Sequence, residues 1–95
     1  MQKLKPLIVA LDVKNDDLAL KYVDGLRHHV DIFKVGPYLF MRYGMRIIRR
    51  IQWRKKKIFL DLKFHDIPNT VESAVKAAAD LGVYAVSVHL ACGRP

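Results

Sequence analysis

The chain has 95 residues and a mass of 10.9 kDa, and its 17 Lys and Arg residues against 9 Asp and Glu residues give a net charge of +8. Hydrophobic residues make up 52% of the sequence and charged residues 27%, which excludes an intrinsically disordered tail. A single cysteine, Cys92, excludes a scaffold held by internal disulfides. The first apolar run is much shorter than the roughly 20 residues that cross a bilayer, so we expect a cytoplasmic protein without a membrane partner.

The first part of the chain predicts a strand followed by a helix. Residues 7–13 form a short β-branched run with a polar residue near its end, which is typical of a parallel strand buried on both faces. Asn15 can cap a helix whose first turn carries Asp16 and Asp17. Helical spacing assigns the apolar face of this helix to Leu18, Tyr22 and Leu26.

The same alternation repeats along the rest of the chain. Residues 31–36, 57–64 and 83–89 predict three more strands. A second helix is predicted to begin at Pro37, with these residues facing inward: Leu39, Phe40, Tyr43, Ile47, Ile48 and Ile51. A third helix is predicted to stop at Gly82, with these residues facing inward: Val71, Ala74, Val75, Ala78 and Leu81. This order predicts parallel strands joined by right-handed crossovers.

Two α/β architectures have this order of elements, a doubly wound sheet and a (β/α)8 TIM barrel. A barrel typically needs about 250 residues. We therefore interpret residues 1–95 as the N-terminal half of a single barrel domain, supplying its first four strands and three helices. Such a half barrel leaves strand edges unpaired, which favours self-association.

Charged residues lie where the predicted strands end. Asp12 ends the first strand, Lys34 lies near the end of the second, and Asp61 and Lys63 end the third. Since Asp61 and Lys63 are two residues apart, their side chains share one strand face. A structural ion pair accounts for two such residues, but four at one edge favour a functional site. Alternating lysines and carboxylates can keep the carboxylates ionised and donate a proton to a carbanion.

The segment Asp61–Thr70, with the sequence Asp-Leu-Lys-Phe-His-Asp-Ile-Pro-Asn-Thr, resembles the signature of the orotidine 5'-phosphate decarboxylase family. Residues 7–13, 33–36 and 86–89 resemble the first, second and fourth strands of that family. The resemblance implies a cofactor-free and metal-free (β/α)8 barrel that forms a homodimer. It also implies conversion of orotidine 5'-monophosphate to uridine 5'-monophosphate (UMP) and carbon dioxide, the last step of pyrimidine synthesis.

The resemblance further implies catalytic roles for four residues. Lys63 matches the lysine that protonates C6 of the substrate, and Asp61 matches the carboxylate placed against the substrate carboxylate. Lys34 and Asp66 complete the charged network.

Substrate binding is implied for Asp12 and Lys34, which match residues that contact the ribose hydroxyls, and for Asp61. In the family, the residues at the positions of Asp66 and Thr70 reach into the neighbouring subunit, so each site of the dimer is composite. His89 matches a strand-end histidine for which a structural hydrogen bond and a substrate contact remain open.

Two other functions stay open at this point. A related barrel group of sugar-phosphate decarboxylases and aldolases shares the Asp-x-Lys-x-x-Asp pattern and uses magnesium, for which Asp12, Asp61 and Asp66 could supply oxygen ligands. A non-catalytic half-barrel module would have the same sequence. Because the family's uracil- and phosphate-binding residues belong to the other half of the barrel, we expect the 95-residue chain alone to be inactive.

The positive charge is concentrated in one stretch. Residues 42–57 hold 8 of the 17 basic residues, and no acidic residue lies between Ile32 and Leu60. Four of these residues fall opposite the predicted apolar stripe of the second helix: Arg42, Arg46, Arg49 and Arg50. Since no nucleic-acid motif accompanies the charge, we expect a solvated outer helix and no nucleic-acid partner.

Overall fold

The computed structural model describes residues 4–61, 76–77 and 79–87. The strands are β1 (Ile8–Ala10), β2 (Ile32–Val35), β3 (Lys57–Asp61) and β4 (Ala85–Ser87), and the helices are α1 (Asp16–Leu26), α2 (Pro37–Tyr43) and α3 (Met45–Gln52). Residues 76–77 and 79–80 are also helical, where the sequence predicts its last helix. No helix in these ranges is long and apolar enough to cross a membrane.

The strands form one parallel sheet in the order β1-β2-β3-β4. In this sheet Phe33 of β2 lies opposite Val9 on one side and Ile58 on the other, and Asp61 lies opposite Ser87. Parallel neighbours that are consecutive in the chain require a crossover between them, and helices occupy these connections. The predicted α/β class and strand order are therefore confirmed.

The two faces of the sheet differ because side chains alternate along each strand. The face toward the helices carries the fully buried side chains Phe33, Val35, Ile58 and Leu60. Helix residues complete this core: Ala19, Leu20, Val23, Leu39, Ile47, Ile48 and Ile51. The opposite face carries Lys34 and Asp61. Apolar burial on one face thus leaves the charged residues on the other.

Helix α1 begins at the predicted cap, since Oδ1 of Asn15 accepts a hydrogen bond from the backbone N–H of Leu18 at 2.8 Å. Its predicted apolar face is confirmed only at Leu26, which packs against the core. The buried residues of α1 are Asp16, Ala19, Leu20 and Val23, whereas Tyr22 is half exposed and Leu18 and Leu26 are partly buried. Asp16 can lie in the buried stripe because Arg46 and Arg50 of α3 pair with its carboxylate.

The predicted single helix after Pro37 is wrong, because the chain forms α2 and α3 with a break at Gly44. Gly44 has φ 56° and ψ −132°, a conformation that side chains disfavour, and its N–H donates to the Phe40 carbonyl at 2.7 Å. Both helices still direct their predicted apolar residues toward the core, where Leu39 and Ile47 are buried and Phe40 packs against them.

Strand β1 is shorter and more exposed than predicted. Leu7 is 57% and Ile8 49% exposed, so burial on both faces is contradicted. These residues are exposed because β1 lies at the edge of the sheet and the helices cover only one of its faces. On that side Val9 is partly buried and Leu11 is buried.

The last predicted helix and strand are described in part. Leu81 packs against the core as predicted, and the chain turns at Gly82, where φ is 75°. Four predicted inward-facing residues of this helix lie outside the described residues: Val71, Ala74, Val75 and Ala78. The segment after β3, residues 62–64, also lies outside them.

Ion pairs between elements neutralise much of the basic stretch. Asp16, which is 4% exposed, lies 3.0 Å from Nε of Arg46 and 3.1 Å from Arg50. Nε of Arg54 lies 2.7 Å from Asp24, and its hydrogen bond lowers the pKa of that carboxyl. The expectation of a solvated row is therefore wrong for Arg50, whose side chain is 35% exposed and binds α1.

Asp31 joins three segments at the amino-terminal edge of the sheet. Its carboxylate accepts a 2.8 Å hydrogen bond from the backbone N–H of Lys5 and lies 3.5 Å from Nζ of Lys56, and its carbonyl accepts from the N–H of Lys57. The Lys5 N–H, more than the charges of Lys56 and Lys5, holds the pKa of Asp31 below its ordinary value of 3.8. The carboxylate form is therefore favoured by folding.

We predict that Gly44→Ala destabilises the fold and that Gly25→Ala in α1 stabilises it. Alanine at Gly44 meets no steric clash but adopts a strained backbone, at a cost of about 1–3 kcal/mol. A methyl group added at Gly25 would meet no atom within 4 Å, and the residue lies in a helix, so alanine adds about 0.5–1 kcal/mol there. Urea unfolding followed by circular dichroism measures the free energy of unfolding of both variants. Equal effects of the two substitutions would contradict the assignment of a strained backbone to Gly44 and a helical one to Gly25.

We predict that Asp31 contributes to the loss of stability in acid. Because its pKa is lower in the folded state, its contribution is complete above the unfolded value of 3.8 and disappears as the pH falls through the folded value. Urea unfolding at pH values from about 5 down to 3 should therefore show a shallower acid decline in Asp31→Asn. Asp80→Asn removes an exposed carboxyl outside this cluster and is the control; an unchanged slope in Asp31→Asn would refute the prediction.

Candidate active site

Three of the predicted site residues lie at one edge of the sheet, where the strands end. Lys34 is the third residue of β2, Asp61 is the last residue of β3, and Asp12 follows the last residue of β1 by two positions. In parallel α/β proteins, ligands bind at the carboxyl ends of the strands. The structure thus places these side chains where the fold class carries its chemistry.

Lys34 and Asp61 form an ion pair across neighbouring strands. Nζ of Lys34 lies 3.6 Å from Oδ2 of Asp61. The register explains the contact, because Lys34 pairs with Phe59, which is two residues before Asp61 and shares its face. The side chain of Asp61 is 13% exposed and that of Lys34 is 37% exposed. A carboxylate this deeply buried needs such partners, since an unpaired buried charge is costly.

Asp12 is exposed and lines a cleft of about 420 Å³ between the loop that follows β1 and the first turn of α2. The residues around this cleft are Leu11, Asp12, Val13, Lys14, Gly36, Pro37, Tyr38 and Leu39. The N–H of Leu11 donates to the Lys34 carbonyl at 2.9 Å and so extends the β1–β2 pairing to the cleft. The backbone of Lys34 therefore contacts the segment that leads to the cleft, whereas its side chain is not part of the cleft lining.

Two residues of this cleft were not predicted. Lys14 lies in the loop after β1 and contributes a charge, and the half-exposed Tyr38 lies in the first turn of α2 and contributes an aromatic ring. Their position shortly after strands was the available signal, because the segments that follow strands surround the ligand in this fold class.

The remaining predicted site residues lie outside the described residues. These are Lys63, Asp66, Thr70 and His89. The structure accordingly tests the proximity of Lys34 to Asp61 and the placement of Asp12, and it leaves the proton donor and the intersubunit residues as predictions. Within residues 4–61, 76–77 and 79–87, no three His, Cys, Asp or Glu side chains form a cluster suited to a metal ion.

The ion pair fixes one positive and one negative group at the strand ends, those of Lys34 and Asp61. The Lys34 ammonium balances the charge of the Asp61 carboxylate, and the exposed part of Lys34 remains accessible to a ligand. The cleft beside it offers a carboxylate, an ammonium and a ring within a ligand-sized space. Most of the cleft lining is apolar, and Asp12 and Lys14 contribute one charge of each sign.

The parallel sheet and the charged residues at the strand ends define an α/β protein of the barrel-forming type. Residues 5–95 match the model of the orotidine 5'-phosphate decarboxylase / HUMPS family, and the chain belongs to that family. The resemblance inferred from the segment Asp61–Thr70 is confirmed.

Curated relatives agree with this assignment. The chain is 49% identical over 88 residues to an orotidine 5'-phosphate decarboxylase of Saccharophagus degradans, covering 93% of this chain and 37% of the relative. It is 51% identical over 88 residues to one of Escherichia coli strain SMS-3-5, covering 93% and 36%. The chain thus spans little more than a third of the length of these relatives.

Solved structures have the same fold over the shared part. The orotidine 5'-phosphate decarboxylase of Pyrococcus horikoshii matches with a TM-score of 0.79 and 33% identity, over 93% of this chain and 43% of that one. An uncharacterized conserved protein of Geobacillus kaustophilus matches with a TM-score of 0.79 and 37% identity, over 88% and 39%. The predicted fold class, part of a TIM barrel, is confirmed at this level.

We predict that Lys34→Met and Asp61→Asn are energetically coupled. The pair is less exposed than a surface ion pair but not fully buried, so a double-mutant cycle in urea unfolding should give a coupling of about 1 kcal/mol. Lys21→Met, an exposed lysine of α1, combined with Asp61→Asn is the control and should give additive effects. Additivity in the Lys34 cycle as well would show that the 3.6 Å contact does not contribute to stability.

Proposed function

We propose that this chain contributes half of the active site of a decarboxylase that converts orotidine 5'-monophosphate to UMP and carbon dioxide in pyrimidine biosynthesis. The observation that carries the proposal is the ion pair between Lys34 and Asp61 at the strand ends, directly before Lys63 in the family's signature segment. Relatives named for this activity share about half of their residues with the chain over 88 positions.

The proposed chemistry uses fixed charges. The carboxylate of Asp61 lies against the carboxylate of the bound substrate, and Lys34 keeps Asp61 ionised through the 3.6 Å contact. As the bond between C6 and the carboxylate carbon breaks, its electron pair remains on C6 and carbon dioxide leaves. Lys63 then transfers a proton from Nζ to C6. Asp66 completes the alternating array, and no cofactor takes part in this proposal.

Substrate positioning is proposed for two residues near the strand ends. Asp12 and Lys34 bind the ribose hydroxyls, which agrees with their places at the ends of β1 and β2. Asp66 and Thr70 act in the site of a second subunit, so the enzyme is a homodimer with composite sites. We place this enzyme in the cytoplasm.

The 95 residues are proposed to form the N-terminal half of a single barrel domain and to be inactive alone. Relatives of this chain are covered to 36–37% of their length, so the other strands of their barrels have no counterpart in it. The exposed Leu7 and Ile8 at the edge of the sheet agree with an incomplete barrel. Residues that bind the uracil ring and the phosphate are expected in the other half.

We predict that the chain is competent as half of an enzyme. In the test, it replaces the matching segment of the Escherichia coli relative, with which it is 51% identical over 88 residues. The chimera should release carbon dioxide from orotidine 5'-monophosphate, while the 95-residue chain alone should not. Lys63→Ala in the chimera should lower turnover by about 1,000-fold or more because the proton donor is lost, and UMP binding should change by about threefold at most.

Lys21→Ala is the matched control, since it removes an exposed lysine from α1 and should leave turnover unchanged. Near-normal turnover in Lys63→Ala would remove that residue from its proposed role. Loss of activity with EDTA would instead support the magnesium-dependent sugar-phosphate group, for which Asp12, Asp61 and Asp66 would be ligands. An inactive but folded chimera would favour a non-catalytic half barrel.

A further inference from the structure

The face of α3 that points away from the core carries an unusual set of exposed residues. Ile47, Ile48 and Ile51 are buried, and the opposite side of the helix presents Met45, Arg46, Arg49 and Trp53, which we call the α3 outer stripe. Trp53 is 87% exposed and Met45 is 41% exposed. The stripe lies on the outer side of the helix layer, away from the strand ends that form the candidate site.

The composition of the α3 outer stripe is that of a protein interface. Trp, Arg and Met are enriched in interfaces, and Trp and Arg supply most binding hot spots, whereas Lys, Glu and Asp are depleted there. Trp53 is the sole tryptophan of the chain, and its ring exposes a large apolar area beside charged groups. Burial of this ring by a partner would be favourable.

Arg46 is already held in place for such a contact. Its Nε lies 3.0 Å from Oδ2 of Asp16, which is itself buried, and 64% of the Arg46 side chain is still exposed. The guanidinium has further N–H groups for a second carboxylate. A side chain held by an internal partner loses less conformational entropy on binding than a free one.

The charge of the surface identifies the kind of partner. Asp16 is shared between Arg46 and Arg50, and Arg49 forms no ion pair within the described part of the chain, so the stripe keeps a net positive charge. A second copy docked on the same face would oppose arginine with arginine, which is unfavourable. An acidic partner would meet complementary charge.

Two other anionic partners fit less well. A membrane-surface helix inserts its apolar face, but the isoleucines of α3 are committed to the core. A single-stranded nucleic acid is bound by several stacking rings, and this stripe offers Trp53 alone.

We propose that the α3 outer stripe is a docking surface for an acidic segment of another protein, whose carboxylates pair with Arg46 and Arg49 and whose apolar side chain covers Trp53. This surface is separate from the decarboxylase site, so binding does not depend on the activity proposed above.

The fluorescence of Trp53 can be used to follow the docking. The probe is a synthetic peptide of about 12 residues, rich in Glu and carrying one Leu and one Phe, added to the 95-residue chain. Binding should shift the tryptophan emission to shorter wavelength and protect it from acrylamide quenching. The same peptide with Gln in place of Glu should bind more weakly by about tenfold or more.

Two charge reversals complete the test. Arg49→Glu should weaken peptide binding by about tenfold, and Lys21→Glu, with the same change of charge on the exposed side of α1, by less than about twofold. Circular dichroism spectra of both variants serve as the control for folding. Equal weakening by the two variants would show an unspecific charge effect and overturn the proposal. A shift with polyuridylate or anionic phosphatidylserine vesicles but not with the peptide, or no shift with any probe, would overturn it as well.

Discussion

The alternation of side chains along β2 and β3 decides which residues enter the core and which reach the candidate site. Phe33 and Leu60 point to the helices and are fully buried, so Lys34 and Asp61 must point to the opposite face. Because the strands are parallel, their ends meet at one edge of the sheet, and the charged residues meet with them. The same short strands therefore build the core and bring the charged pair of the candidate site together.

The order of elements and the fold class could be predicted because they depend on local signals: β-branched runs, helical spacing and caps such as Asn15. The buried face of α1 could not be predicted, since burial of Asp16 requires Arg46 and Arg50, which are 30 or more residues away. The break at Gly44 was equally hidden, because an apolar stripe continues across it and glycine is compatible with either backbone.

The candidate site was predictable to the extent that strand ends could be recognised. Charged residues at strand ends predicted that Lys34 and Asp61 are neighbours, and the structure confirms the contact. The cleft beside Asp12 depends on how the loop after β1 lies against the first turn of α2, which local sequence does not specify, so Lys14 and Tyr38 were missed. The basic stretch was judged from local composition alone, whereas part of its charge is balanced by α1 across the helix layer.

The Lys34–Asp61 pair also bears on how the chain avoids misfolded alternatives. A slip of β3 by one residue along β2 would turn its side chains to the other face, so that Asp61 would lie beneath the helices and Leu60 in the open. Loss of Ile58 and Leu60 from the buried face already opposes this error. A carboxylate forced into the isoleucine-rich core adds a penalty of several kcal/mol, so the charge of Asp61 also favours the correct strand alignment.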